Sequence, residues 1–418
     1  MAQVSADVVA TQIEAVTPLL TGMFDYSQRL FSSFQKIMVS EQSYRASRMP
    51  TLLRPGGVSN AANFDGGAMG VGSGPKFDFT AMSPVEHTYN IAWTFKTKFG
   101  TDSSKKAVVD TVQLTIAEGI KEMRVRIDKY LNLPNSYGTL GTATAYGTNV
   151  YTFATGGVRT KPFRAGDKVQ VQQGTTSLGT HFITSIDPLA NTVTLATTPS
   201  GTPAAGDLLI VNGLVPTDAE ATHVWYYPLS YSHNNSTAGS FLGWTRSSYP
   251  EVRTPTVAAN SSPLTPDLLN TLLANLDNAL GEDVTETGDW SWYMHPFLQY
   301  NLVQYLTMIS EITLPMGGEN KQVDSGHSRK KNRRFCDIAI KTDINADETR
   351  VDLFDFKNWI RAVTKDVGWL KINGQTVATV PNSTSYDFTE MSVLAVAQNF
   401  AIRNPRRGGY ISGLVSGL

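Results

Sequence analysis

The stretch from Gly66 to Phe79 reads GGAMGVGSGPKFDF, and glycines spaced this closely before a lysine can bind phosphate. A Walker loop requires Ser or Thr after its lysine, whereas Phe77 follows Lys76. The dinucleotide-binding pattern requires a third glycine where this chain has Pro75. The stretch therefore favours a long loop of turn residues over a phosphate site. Its candidate residues are Gly66, Gly67, Gly70, Gly72, Gly74 and Lys76.

A second candidate site is the basic run SRKKNRR, whose cations are Arg329, Lys330, Lys331, Arg333 and Arg334. Such a cluster can bind phosphates without sequence preference by releasing counterions. It can equally be a solvated loop, or a partner for acidic residues on a neighbouring subunit. The formal net charge of −1 argues against a chain dedicated to nucleic-acid binding, so any such contact would be local.

The residue types that carry catalysis do not occur at the required spacings. The six histidines include no pair at metal-ligand spacing, and HExxH, CxxC and GxSxG motifs are absent from the sequence. The carboxylate pairs Glu282/Asp283 and Asp347/Glu348 lie in polar stretches and are predicted to be solvated. His295 is predicted at a strand end, and Cys336 is predicted to be buried and inert. The sequence thus predicts a protein that is not an enzyme and has no cofactor or metal.

Length and composition set the class of protein that must position these residues. At 418 residues the chain predicts two or three structural units. A single cysteine excludes an intrachain disulfide framework and fits a reducing cytoplasm. The N-terminus lacks the basic segment of a signal peptide, and no apolar run approaches the roughly 20 residues needed to span a membrane.

The periodicity of apolar residues predicts a mixture of helices and strands. Residues 1–45 show helical spacing in two short pieces, whereas the segments flanking the glycine-rich loop alternate like strands. Apolar residues at spacings of three and four predict one long helix over 103–131. Residues 138–222 predict an inserted small β-barrel or sandwich. A later helix is predicted to begin at the N-cap Thr265, before an α+β unit.

In this order of elements the sequence resembles the major capsid proteins of tailed bacteriophages with the Hong Kong 97-type fold. The stretches that carry the resemblance are GWTRSSYPEVRTP, LTPDLLNTLLANLDN, WSWYMHPFLQYNL, CDIAIKTD, VDLFDFKNWI and AVAQNFAIRNPRR. The resemblance implies an α+β capsid fold with six parts. These are an N-terminal arm (1–48), an extended loop (49–102), the spine helix of a peripheral domain (103–137), an inserted β domain (138–222), an axial domain (223–380) and a return to the peripheral domain (381–418).

The resemblance also implies partners and a location. The chain would assemble with itself into pentamers and hexamers of an icosahedral shell, with a portal, possible decoration proteins and packaged double-stranded DNA, and without a membrane. About 45 residues precede the extended loop, which favours a separate scaffolding protein over a fused one. Residues 314–334 would form a loop near the axes. The virion would be its location, after assembly in the host cytoplasm.

Three further points stay open at this stage. Some shells of this type crosslink a Lys to an Asn, and Lys76 suits that role by position, although no motif identifies a partner Asn. A tail-tube or sheath subunit would also use arms and insertions, but it would form tubes. A carbohydrate-active enzyme would use Trp225 to Tyr227 as a sugar platform and would need two facing carboxylates.

Overall fold

A computed structural model of the chain describes residues 30–38, 47–54, 76–82, 84–94, 105–133, 138–174, 176–212, 225–286, 288–313, 334–371, 378–381 and 388–415. Within these residues, the helices are too short or too polar to cross a membrane.

The described residues form three longer helices and twenty-one strands. Up to residue 212 these are β1 (Gln35–Met38), β2 (Ser47–Arg54), β3 (Lys76–Met82), β4 (Val85–Thr94), α1 (Lys105–Leu131), β5 (Thr139–Gly147), β6 (Val150–Phe153), β7 (Lys168–Gln173), β8 (Thr176–Asp187), β9 (Thr192–Leu195) and β10 (Leu208–Val211). Beyond residue 224 they are β11 (Ser240–Phe241), β12 (Trp244–Thr245), β13 (Thr256–Ser262), α2 (Pro266–Leu280), β14 (Trp290–Met294), α3 (Pro296–Thr313), β15 (Arg334–Phe335), β16 (Ile338–Thr342), β17 (Val351–Asp355), β18 (Trp359–Leu370), β19 (Ala378–Pro381), β20 (Phe388–Ile402) and β21 (Gly408–Leu414).

The first sheet, here called the long sheet, is organised around the 15-residue strand β20. Antiparallel partners of β20 are β18 and β19 on one path and β4 on another, and β1 adds to β18 in parallel. Its core contains Phe34, which stacks on Trp359 with ring centroids 4.9 Å apart. The helical spacing predicted within residues 1–45 is wrong for Gln35–Met38, because this segment pairs with β18 as a parallel strand.

Helix α1 packs against this sheet with the end of its apolar stripe. Ile120, Met123 and Ile127 are fully buried, whereas Glu118 on the opposite face is exposed and pairs with Lys121 at 3.6 Å. Gly119 lies where an added Cβ would come within 2.6 Å of Ile91 on β4, so its lack of a side chain permits the close approach. The amphipathic stripe therefore explains both the helix and the face it buries.

The second sheet, here called the mixed sheet, has the order β13-β21-β17-β14-β16-β15 and is covered by α2. Thr265 caps α2 as predicted, since its Oγ1 accepts a hydrogen bond from the amide of Leu268 at 3.4 Å. Gly281 ends the helix with φ of 71°. The leucines on one face of α2 are buried with Trp292, Leu353 and Ile411 of the sheet. Strand β21 belongs to this sheet, although it lies beyond residue 380 in the chain.

Strands β5 to β10 close into a six-stranded barrel in the order β10-β5-β6-β9-β8-β7. Alternating residues fill its interior, and Val169, Val171 and Val193 are fully buried. A barrel was one of the two arrangements that the sequence left open. Closure pairs each barrel strand on both sides, which leaves this module without open strand edges.

Candidate assembly interface

The glycine-rich candidate belongs to a segment whose ends the structure fixes. Strands β2 and β3 form an antiparallel hairpin in which Arg54 pairs with Lys76. Lys76 is thus the first residue of β3, while Gly66, Gly67, Gly70, Gly72 and Gly74 lie outside the described residues. Their role as a loop rather than a phosphate site remains a prediction.

The hairpin leads directly into the long sheet. Met82 at the end of β3 and Val85 at the start of β4 are both buried in the core that contains α1. From Val85 onward, β4 pairs with β20 over ten residues. The covalent chain therefore connects the hairpin to a strand that ten paired residues hold in the long sheet.

The basic candidate is described only at its last residue. Arg334 is exposed at the start of β15 and pairs through its backbone with Ala339. Arg329, Lys330, Lys331 and Arg333 lie outside the described residues, as does the predicted axial loop up to residue 333. Their contact with DNA or a neighbouring subunit remains a prediction.

Sequence reasoning missed two groups of ion pairs that attach the barrel to the rest of the subunit. On the α1 side, Arg126 binds Asp167 of the barrel at 2.7 Å, and Arg164 binds Glu122 of α1 at 3.1 Å. Each group joins residues far apart in the chain, so sequence spacing carried no signal for it. The pairs Arg126–Asp167 and Arg164–Glu122 together orient the barrel relative to α1.

On the other side of the barrel, the carboxylate of Glu348 forms ion pairs with Arg159 at 2.7 Å and with Lys161 at 3.0 Å. The amide of Glu348 also donates to the carbonyl of Gly157 at 3.4 Å. The prediction that Glu348 is solvated is wrong, because these barrel cations bury it to 9% exposure. His295 follows β14 as predicted, and burial together with Lys161 lowers its pKa to about 4.

A buried polar network connects the mixed sheet with residues 225–255. His233 is fully buried, and its Nδ1 lies 2.9 Å from Asp352 Oδ1 on β17. Arg350 donates to both oxygens of Asp352, at 2.7 and 3.0 Å, and also to the carbonyl of His233. Burial opposes the charged form of Asp352, but Arg350 and His233 overcome it and lower the pKa of this carboxyl. Burial lowers the pKa of the His233 imidazole, although its contact with Asp352 acts in the opposite direction.

A second network holds the N-terminal segment in place. Asp128 of α1 is fully buried. Its carboxylate accepts hydrogen bonds from the backbone amide of Leu30 at 3.3 Å and from the side-chain amide of Asn345 at 3.1 Å. Asn132, one turn further along, donates to the hydroxyl of Tyr293 at 3.2 Å. One carboxylate therefore joins three distant parts of the chain.

Within the part of the chain that the structure describes, these side chains lack the features of a catalytic site. No group of three or more His, Cys, Asp or Glu side chains there is placed to hold a metal ion. Trp225, Tyr226 and Tyr227 are buried, so they present no aromatic surface to a sugar. The prediction that Cys336 is buried is wrong: it is exposed in a turn with φ of 48°, and partial desolvation raises the pKa of its thiol.

Comparison with known proteins identifies the class of fold. A capsid chain of cyanophage A-1(L) superposes with a TM-score of 0.51 at 12% identity, over 91% of this chain and 90% of that one. A capsid chain of a native GTA particle (TM-score 0.44, 8% identity, 93% and 90% covered) and one of bacteriophage PhiM1 (0.43, 8%, 94% and 89%) are also similar. Neither a protein-family model nor a curated protein sequence matches.

The chain therefore has the fold of tailed-phage capsid proteins, which confirms at the level of the fold the resemblance predicted from its sequence. It is a mixed α+β protein, and the cyanophage chain on which it superposes is a capsid protein.

Proposed function

We propose that this chain is the major capsid protein of a tailed double-stranded DNA bacteriophage and assembles into the pentamers and hexamers of an icosahedral shell. The observation that carries the proposal is the superposition on a cyanophage capsid chain over nine-tenths of both chains. Head-to-tail contacts close into rings when the rotation between subunits allows it. Many modest contacts per subunit then give a durable shell.

The described elements acquire roles in this proposal. The β2–β3 hairpin is the described part of the extended loop that reaches across a neighbouring subunit. Of the predicted range 49–102, strand β4 instead pairs with β20 of its own subunit. Helix α1 is the spine of the peripheral domain, and the mixed sheet with α2 forms much of the axial domain. The barrel is a module inserted at 138–222 and held by its ion pairs.

The proposed partners follow from the same assembly. They are a separate scaffolding protein, a portal, a decoration protein and the packaged DNA. The basic run at 329–334 would meet DNA on the inner face, or acidic residues of an adjacent subunit. The virion is the proposed location, with assembly in the host cytoplasm.

Electron microscopy of the full-length protein tests the proposal. The chain is expressed alone and with the scaffolding protein of the same phage, and each sample is separated by size before imaging. Closed icosahedral particles, or rings of five and six subunits, are expected. Open tubes would instead support a tail-tube or sheath subunit, and a stable monomer in both samples would refute assembly altogether.

A further inference from the structure

Two turns meet at the end of the long sheet where β18 begins and β20 ends. The amide nitrogen of the Asn358 side chain donates to the carbonyl of Asn404 at 2.7 Å, and the backbone amide of Asn404 donates to Asn358 Oδ1 at 3.2 Å. The backbone amide of Arg403 donates to the carbonyl of Asn358 at 2.9 Å. These reciprocal bonds hold the two turns in one fixed arrangement.

The two turns carry three cations, Lys357, Arg403 and Arg406, which we call the basic turn surface. Lys357 and Arg403 are exposed and Arg406 is half-buried. The structure gives these three side chains no salt bridge to a carboxylate among the described residues.

Two of the acidic groups nearby are already paired with an arginine. Arg407 binds Asp355 at 2.9 Å and Glu282 at 3.2 Å, so these carboxylates offer little compensation to the basic turn surface. Lys341 adds a further positive charge beside it, since its Nζ lies 3.8 Å from the ring centroid of Phe356, and Asp289 balances that charge in part. Positive charge therefore predominates at this end of the sheet.

The residue types of the basic turn surface indicate whether its partner is a protein or a nucleic acid. Protein interfaces have cores rich in aromatic and apolar residues and poor in charge. The large apolar residues exposed in the described part of the chain lie elsewhere, at Met38, Phe182, Leu189, Tyr300, Ile344, Leu370 and Val415. Phe356 and Pro405 within the turns are buried. Exposed Lys and Arg on a fixed backbone without an apolar centre are instead suited to phosphate contacts, which are made without reading bases.

We propose that the basic turn surface binds the phosphate backbone of double-stranded DNA without sequence preference. The identity of that DNA as a packaged genome rests on the proposed function, whereas the binding itself is a property of the subunit. The surface consists of residues other than the basic run at 329–334, and it is presented by strands that the long sheet holds in register.

The test measures how salt weakens binding of a short fluorescent duplex of mixed sequence to the unassembled full-length protein. Each phosphate contact contributes about 0.9 to the slope of log affinity against log salt concentration. The triple variant Lys357→Gln, Arg403→Gln, Arg406→Gln is expected to reduce the steepness of that slope by about 2.7. A control triple variant, Lys121→Gln, Lys168→Gln, Lys365→Gln, removes three exposed lysines elsewhere and is expected to keep the original slope.

A charge-preserving variant, Lys357→Arg, Arg403→Lys, Arg406→Lys, separates lost charge from lost structure, and it is expected to bind with the wild-type slope. Equal slopes for the wild type and the glutamine variant would overturn the proposal, as would wild-type protein that does not bind the duplex at low salt. A glutamine variant that still binds DNA with the wild-type slope but no longer binds the scaffolding protein would also overturn the proposal. That result would assign the surface to a protein partner. If the wild type binds DNA here but never forms particles, the capsid function fails and this inference stands.

Discussion

At the scale of single residues, Asp352 balances the charge of a buried network. We expect Asp352→Asn to lower the free energy of unfolding by about 3 kcal/mol, because Arg350 keeps its charge and loses its ion pair in a mostly buried site. Urea unfolding of the unassembled subunit measures the change. Glu118→Gln, on the exposed face of α1, is the control and should change stability by less than about 0.5 kcal/mol. Equal losses in the two variants would contradict this account.

A second prediction for a single residue concerns the stability of the subunit at acidic pH. Burial, with a smaller effect of Arg126, lowers the pKa of His87 to about 3. In the unfolded chain this imidazole titrates near pH 6.5, so between the two values the unfolded state binds one more proton and stability falls as pH falls. At pH 5 the loss due to His87 is about 2 kcal/mol relative to neutral pH.

The variant His87→Phe isolates this effect, because it keeps an aromatic ring against Tyr130 and Trp225 while removing the titration. Between pH 7 and pH 5 the wild type is expected to lose about 2 kcal/mol more unfolding free energy than this variant does. Denaturant unfolding at both pH values measures the difference. Parallel pH dependences for the two proteins would show that His87 does not contribute.

At the scale of elements, the attachment of the barrel depends on Glu348. We expect Glu348→Gln to free Arg159 and Lys161 and to destabilise the local contact by about 2 kcal/mol, or roughly thirtyfold in opening. Hydrogen exchange should then quicken at residues 157–161, while the strands of the closed barrel stay protected. The exposed pair Glu118–Lys121 again supplies the control, since Glu118→Gln should leave exchange at 157–161 unchanged. Unchanged exchange in Glu348→Gln would refute the attachment.

The elements that the sequence predicted correctly are those governed by local rules. Thr265, Pro266 and Gly281 set the limits of α2 through capping, and the α1 stripe follows a helical period. Gln35–Met38 escaped prediction because a parallel partner, β18, lies more than three hundred residues away. The ion pairs of Glu348 and the hydrogen bonds of Asp128 escaped it for the same reason, since only the folded chain brings those residues together.

At the scale of the whole molecule, assembly should depend on the extended loop while folding should not. Because Arg54 and Lys76 are paired in the β2–β3 hairpin, residues 55–75 can be replaced by an Asn-Gly turn without changing its register. We expect a subunit with a Tm close to that of the wild type that forms no shells, as judged by calorimetry and electron microscopy. Lys76→Gln is the matched control and should still assemble. Normal shells from the shortened chain would show that the loop is dispensable.

The order of strands along the chain has a consequence for the time at which each part can fold. The barrel is contiguous between Thr139 and Val211, so its pairings can form soon after that segment leaves the ribosome. The long sheet is different, because β4 and β18 both pair with β20, which ends at Ile402. At ~5–20 residues per second, translation leaves β4 without its partner for on the order of ten to forty seconds after the barrel is complete. The nascent chain therefore carries a complete barrel and a strand β4 whose apolar residues, such as Ile91, still lack their partner. Chaperone binding is expected to matter most during that interval.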